Sequence, residues 1–62
     1  MELFEVVELA VDLPEDGLSA GAIGTIVDEY PDSGKYEVEF ADDNGRTIAL
    51  TALRSDQIRP RR

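Results

Sequence analysis

The sequence predicts an all-β protein in which five short strands close into a small barrel, with one helical turn before the last strand. Two observations lead to this fold class. Apolar and polar residues alternate with period two in several short segments, and turn-forming residues separate these segments at intervals of roughly ten residues. A length of 62 residues allows one domain, residues 1–62, and leaves no room for a second core.

The first two predicted strands differ in how clearly they show a buried face. In EVVELAVDL, residues 5–13, Val7, Leu9 and Val11 share one parity, which predicts a strand with one buried side. A proline and an Asp-Gly pair then mark a loop. GAIGTIV, residues 21–27, is apolar on both parities, and its central Gly24 predicts a bulge or bend at which two backbones approach closely.

The third strand has the strictest alternation, because KYEVEF, residues 35–40, places apolar residues on one face and two glutamates on the other. The Asn44-Gly45 pair predicts a tight hairpin into RTIALTAL, residues 46–53, where Ile48, Leu50 and Ala52 share one face of the strand. RSDQ, residues 54–57, predicts one helical turn capped by Ser55. The predicted core consists of Val7, Leu9, Val11, Ile23, Ile26, Val38, Phe40, Ile48, Leu50, Leu53 and Ile58.

Acidic charge is the strongest compositional feature. Fourteen Asp and Glu face six Lys and Arg, which gives a net charge of −8. Residues 1–58 hold all fourteen carboxylates and three basic side chains, a net charge of −11, and residues 59–62 form a basic tail that we expect to be flexible. Such a body attracts a basic partner and repels nucleic acid, because phosphate binding depends on clustered Lys and Arg.

Composition also bears on compartment and chemistry. The chain contains no cysteine, no secretory signal pattern and no apolar run near the ~20 residues that span a bilayer, so we expect a cytoplasmic protein without a membrane partner. It contains no histidine either, which removes the usual general base and most transition-metal ligands. The acidic turn at residues 42–45 lacks the ligand spacing of a calcium loop. We therefore expect no enzymatic activity, no cofactor and no metal.

Residues 20–41 resemble a known kind of small barrel. The pattern Gly21-x-x-Gly24-x-Ile26, followed by DEYPDSGKYEVEF, is similar to the KOW-type SH3-like barrel of ribosomal and transcription-elongation proteins and to the SH3-like domain of the nitrile hydratase β subunit. In those folds the first glycine ends a loop, the second lets the strand bend, and the apolar residue enters the core. The resemblance implies a five-stranded SH3-like barrel.

Almost the whole chain resembles a family of short bacterial proteins catalogued as a domain of unknown function. The resemblance implies an SH3-like barrel and a bacterial or archaeal origin, and it implies no activity. The matching motifs are Asp12-Leu13-Pro14, Gly17-Leu18, Gly24-Thr25-Ile26-Val27, Val38-Glu39-Phe40, Gly45-Arg46-Thr47 and Gln57-Ile58.

The SH3-like resemblance also implies where a partner would bind. Such barrels commonly use a groove between two loops, which here correspond to residues 12–21 and 30–34, and the face with Glu37 and Glu39 is the second choice. Tyr30 either stacks on a ligand or packs within the protein, and Tyr36 shares the parity of the core. The predicted contact residues are Asp12, Glu15, Asp16, Tyr30 and Asp32.

The expected function is that of a non-enzymatic protein-interaction module of accessory, antitoxin or immunity type, a monomer or weak homodimer that binds a basic protein surface. Two alternatives remain open: an RNA-associated KOW-like barrel, which would need a basic face, and an accessory domain of an enzyme complex. The tail arginines Arg59, Arg61 and Arg62 either contact a partner or RNA or lie beside the acidic barrel.

Overall fold

A computed structural model of the protein describes residues 1–61. It contains five strands, β1 (Val6–Leu9), β2 (Ile23–Tyr30), β3 (Lys35–Ala41), β4 (Thr47–Arg54) and β5 (Ile58–Pro60), and two single turns of 3-10 helix at Pro14–Asp16 and Ser55–Gln57. The all-β prediction is confirmed, as is the helical turn directly before the last strand. Within this described part of the chain, no helix has the length and apolar character required to cross a membrane.

The five strands form one antiparallel sheet in the order β4-β3-β2-β1-β5. The first four strands lie beside their neighbours in the chain, and β5 returns to pair with β1, so that Val7 lies opposite Pro60 and Leu9 opposite Ile58. No ladder among residues 1–61 joins β4 to β5, and these two strands are therefore the edges of the sheet.

The core lies on one face of this sheet. Seven of the eleven predicted core residues are buried, and Leu18 joins them from the loop between β1 and β2, with 8% of its surface exposed. Phe40 is the largest of the fully buried side chains, and Tyr36 packs half-buried against the cluster, as expected. The buried set is Val7, Leu9, Leu18, Ile26, Val38, Phe40, Leu53 and Ile58.

The prediction that Ile48 and Leu50 of β4 lie in the core is wrong. Ile48 and Leu50 are 53% and 57% exposed, whereas Leu53 is buried. The pairing of Leu53 with Tyr36 and of Ala49 with Phe40 turns the odd-numbered residues toward the core, because directly paired residues share a face of the sheet. A shift of register between Phe40 and Ala41 accompanies this arrangement at the start of β4. Both parities of β4 are apolar, so the pairing with β3 decides which one is buried.

Val11 and Ile23 were also predicted in the core and are 38% and 39% exposed. The strand β1 ends at Leu9, so the chain has left the sheet before it reaches Val11. Ile23 lies opposite Glu8 on the solvent side of the sheet, and the next residue along, Gly24, faces inward. Leu18, from the loop between β1 and β2, is buried in the core cluster that neither of these two side chains joins.

Gly24 has the close backbone approach that the sequence predicts, but the irregularity of β2 lies elsewhere. It pairs regularly with Val7 on one side and Phe40 on the other, and the register shifts two residues later, between Ile26 and Asp28. A Cβ atom at Gly24 would lie 3.0 Å from the carbonyl oxygen of Glu39. The glycine is therefore required by packing against β3.

Side chains organise the two turns that flank β4. In the β3–β4 hairpin, Asp42 Oδ1 accepts the backbone N–H groups of Asn44 and Arg46, both at 2.9 Å, and Gly45 adopts the left-handed region with φ 80°. After β4, the prediction that Ser55 caps the helical turn is wrong. Arg54 holds that position, and its N–H donates to Gln57 Oε1 at 2.8 Å.

Arg59 and Arg61 lie against β1 and do not form a separate tail. Arg59 and Pro60 belong to β5, and the Arg59 guanidinium donates to Glu8 Oε1 at 2.6 Å across the β1–β5 ladder. The N–H of Arg61 donates to the carbonyl of Val6 at 3.3 Å. The expectation for Arg62 lies outside the described residues.

Candidate functional site

The candidate site is the face of the sheet opposite the core, which we call the outer face. Its members follow from the ladder, since directly paired residues point to the same side. The outer face consists of Val6, Glu8, Ile23, Thr25, Asp28, Tyr30, Lys35, Glu37, Glu39, Leu50, Ala52, Arg54 and Arg59. It combines carboxylates with exposed apolar side chains, so it differs from a uniformly charged surface.

Tyr30 and Glu37 form a polar contact at one end of the outer face. The Tyr30 hydroxyl donates to Glu37 Oε1 at 2.7 Å, and 40% of the Tyr30 surface remains exposed. The hydrogen bond to Glu37, followed by desolvation and by the negative charges of Glu37 and Asp28, raises the pKa of the Tyr30 phenol above its ordinary value of 10.0. Asp28 lies directly opposite Glu37, so two like charges face each other beside this tyrosine.

We expect Glu37→Gln to lower the pKa of Tyr30. A glutamine can still accept the hydroxyl hydrogen bond but carries no negative charge, so it no longer opposes formation of the phenolate. Titration of the near-ultraviolet phenolate absorbance would measure the shift, with Tyr30→Phe used to assign the signal. An unchanged Tyr30 titration in the Gln variant would contradict the contact.

Glu39 lies in the middle of the outer face. Its Oε2 accepts the Thr47 hydroxyl at 3.0 Å, and its ladder partners are Thr25 of β2 and Leu50 of β4. An ionised carboxylate has about four acceptor positions, so Glu39 keeps most of its acceptor capacity after this contact. The same holds for Glu37, which accepts one hydrogen bond from Tyr30.

The apolar part of the outer face comes from β4. Leu50 lies directly opposite Glu39, and Ala52 lies directly opposite Glu37. Both β4 residues are exposed, and Ile48, at the irregular start of the strand, is exposed as well. Sequence reasoning identified the two glutamates as a possible surface but assigned Ile48 and Leu50 to the core. The exposed apolar residues could be found only from the register of β4.

The predicted contact residues divide into two groups. The loop with Asp12, Glu15 and Asp16 joins β2 at Ile23, whereas the turn with Asp32 leaves β2 after Tyr30. Eight residues of β2 separate these points, a strand about 23 Å long. The loop at residues 18–22 instead lines a depression together with residues 40–43. The first group thus belongs to the loop that enters β2, and the second belongs to the end of β2 and the turn that follows it.

The first group contains one residue with a structural role. Asp12 Oδ1 accepts the Ala20 N–H at 2.9 Å and ties together the two ends of the loop, within which Leu13 and Leu18 form a backbone bridge. Glu15 and Asp16 lie exposed on the 3-10 turn. In the second group, Tyr30 borders a small cleft with Pro31, Lys35 and Tyr36 among its lining residues, and Asp32 is exposed in the adjacent turn.

The described residues contain no group of three or more Asp, Glu, His or Cys placed to hold a metal ion. Carboxylates of the outer face come from β1, β2 and β3; Asp28 lies directly opposite Glu37, and Glu39 lies between Thr25 and Leu50. The outer face presents hydrogen-bond acceptors, negative charge and exposed apolar side chains.

The fold and this surface define a small all-β protein built on one five-stranded antiparallel sheet with a mixed acidic and apolar face. The chain belongs to the family described as Domain of unknown function (DUF4926), whose model matches residues 3–60. The expected membership in a family of unknown function is thus confirmed. No curated protein and no solved structure matches the chain.

Proposed function

We propose that the protein is a non-enzymatic interaction module that binds the basic surface of another protein through the outer face of its sheet. The observation that carries the proposal is the placement of Glu37 and Glu39 directly beside exposed Leu50 and Ala52, with the Tyr30 ring at one end. Apolar area flanked by unneutralised charge is typical of a surface that a partner covers. A net charge of −8 favours a basic partner.

The proposal includes an SH3-like barrel and a bacterial, cytoplasmic protein of accessory, antitoxin or immunity type. The sheet order supports a partly open barrel, since β5 returns along the chain to pair with β1 while β4 and β5 remain the two edges. The lack of histidine and cysteine in the sequence supports a non-enzymatic role.

The arrangement of basic groups argues against the RNA-associated alternative. Arg54 is paired with Asp56 at 3.0 Å, and Arg59 is paired with Glu8 at 2.6 Å. These arginines are partly neutralised by their own neighbours, which leaves little positive charge to release counterions from a phosphate backbone. Micromolar binding to RNA or DNA at ~0.15 M salt, weakening steeply as salt rises, would instead favour the nucleic-acid function.

The test compares two charge reversals of equal size. Glu37→Lys/Glu39→Lys changes the outer face, and Glu15→Lys/Asp16→Lys changes the loop that the sequence favours. Proteins captured from a lysate of the source organism by the wild-type chain would be identified by mass spectrometry. We expect a basic protein that the wild type and the loop variant retain and that the outer-face variant loses.

Binding kinetics measured with the purified partner would then separate the contribution of charge to association from the contribution of direct contact to dissociation. Rim charges chiefly increase the association rate, so the outer-face variant should associate more slowly and with weaker salt dependence. Tyr30→Ala should act mainly on dissociation if the ring is covered in the complex. Loss of the partner only in the loop variant would move the interface to residues 12–21. Equal retention by all three proteins would contradict an acidic interface altogether.

A further inference from the structure

One edge of strand β4 has no partner strand among the described residues, and we call it the free edge of β4. Strand β4 pairs with β3 on one side, and no ladder among residues 1–61 covers its other side. Outside the ladders, no backbone–backbone hydrogen bond among residues 1–61 involves Thr47 to Arg54, and the N–H of Arg54 donates to the Gln57 side chain. An eight-residue edge strand of this kind presents a row of N–H and C=O groups that can pair with another chain.

The two edges of the sheet differ in their protection. Strand β5 has only three residues, and it contains Pro60 and the charged Arg59, which are features that discourage pairing at an edge. Strand β4 is eight residues long, contains no proline and carries no charge from Thr47 to Leu53. Its exposed apolar side chains, Ile48, Leu50 and Ala52, lie next to this edge. The edge of β4 thus offers both unpaired backbone groups and exposed apolar side chains.

The outer face next to this edge limits the chemistry of a partner strand. A sixth strand beside β4 would lie about 10 Å from β3, twice the usual spacing between strands. Its outward side chains would cross Leu50 and Ala52 before reaching Glu39 and Glu37. Lys and Arg suit these positions, because their aliphatic stems cover apolar surface while their charged ends extend beyond it.

We propose that the free edge of β4 accepts an extended segment of a basic partner as a sixth strand, with Lys or Arg side chains of that segment lying over Leu50 and Ala52 and pairing with Glu39 and Glu37. This inference rests on the proposed function and specifies its mode of recognition, the addition of a strand to a sheet edge. Backbone pairing supplies affinity, and the two glutamates supply the preference for basic residues.

Charge distinguishes this occupant from a second copy of the chain. Two copies paired through β4 would bring together two bodies of net charge −8, whereas a basic segment reduces the charge of the complex. Charge complementarity therefore favours a basic segment over self-association.

The experiment uses synthetic peptides of defined sequence, eight residues long, with blocked ends. One alternates Arg and Val, and its control alternates Glu and Val. Binding would be followed by amide signals and hydrogen exchange in nuclear magnetic resonance spectra of the full chain. We expect the Arg–Val peptide to bind and to protect amides of β4 that exchange in the free protein, and the Glu–Val peptide to leave them unprotected.

Backbone pairing is tested by N-methylation. Two further Arg–Val peptides carry methyl groups on alternate amides, so that each blocks hydrogen bonding along one edge of the peptide. We expect one of the two to bind like the parent and the other to lose binding. Equal binding by both methylated peptides would show contact through side chains alone and would overturn the sixth strand.

The role of the glutamates is tested with matched neutralisations. Glu37→Gln/Glu39→Gln should weaken binding of the Arg–Val peptide about tenfold, since each exposed ion pair contributes modestly. Glu15→Gln/Asp16→Asn removes the same charge from the exposed loop and should change affinity less than about twofold. Equal losses of peptide affinity in both variants would show that only the overall charge of the protein matters. They would contradict a specific role for Glu37 and Glu39.

Failure of this inference can be told apart from failure of the proposed function. A captured basic partner that depends on Glu37 and Glu39 but leaves β4 amides unprotected would overturn the edge pairing and leave the proposed function intact. Absence of any partner that depends on the outer face would overturn the proposed function itself. Concentration-dependent dimerisation that protects β4 without peptide would show a second copy as the occupant and would overturn the proposal.

Discussion

Gly24→Val is expected to lower the free energy of unfolding by at least ~3 kcal/mol, more than a typical single substitution. A Cβ atom at this position would lie 2.7 Å from Val38 Cγ1, 2.9 Å from Phe40 Cε1 and 3.0 Å from the Glu39 carbonyl oxygen. The first two neighbours are core side chains, and the third is backbone of β3, so none can move without disturbing the sheet. For a domain of this size the loss corresponds to a fall in Tm of at least ~12 °C.

Two further substitutions make the Gly24 experiment specific. Gly24→Ala should lie between the wild type and the Val variant, because it adds the clashing Cβ without the two extra methyl groups. Thr25→Val changes the adjacent residue on the outer face and should alter stability by no more than ~0.5 kcal/mol. Urea unfolding would measure all three. A Val variant with the wild-type midpoint would show that β2 and β3 are not packed as closely as described.

Leu53→Ala is expected to cost about 2–4 kcal/mol, whereas Leu50→Ala should cost no more than ~0.5 kcal/mol. Both substitutions remove the same atoms from the same strand. Leu53 is only 3% exposed and pairs with Tyr36, so its loss leaves a cavity in the core. Leu50 is 57% exposed on the outer face, so water fills the space that its side chain leaves.

This pair of variants tests the register of β4 by chemical denaturation. The reverse order of stabilities would restore the alternation that the sequence alone suggests, with Ile48 and Leu50 inside. It would also remove the apolar component of the outer face and with it the basis for both proposals. If the free energy of unfolding falls with urea concentration at the same slope in both variants, a change in the unfolded state is excluded as the cause of the difference.

The sequence predicted a strand well where its two faces differ in polarity. In β3 the inward residues are aromatic or branched and the outward residues are glutamates, so only one orientation buries apolar surface. In β4 the inward Ala49, Thr51 and Leu53 and the outward Leu50 and Ala52 are all small or apolar, and Ile48 at the register shift is apolar as well. Local alternation therefore does not determine which face of β4 is buried, and the register of β4 with β3 determines it.

The candidate site was predictable to the same extent. Glu37 and Glu39 lie opposite a clear core face and could be assigned to a surface from the sequence. Leu18 could not be assigned to the core, because its burial depends on how a loop folds back over β1 and β2. The Asp16 loop enters β2 and the Asp32 turn leaves it, and composition carries no information about that arrangement.

The pairing of β5 with β1 has a consequence for how this chain folds. The Glu8–Arg59 contact joins residues 51 positions apart, whereas β2, β3 and β4 pair through short hairpins. Closing so long a loop costs conformational entropy before any contact repays it, so the hairpins should form ahead of the β1–β5 ladder. During synthesis, Val7 and Leu9 would then stay without the cover of Ile58 until the last strand has emerged from the ribosome.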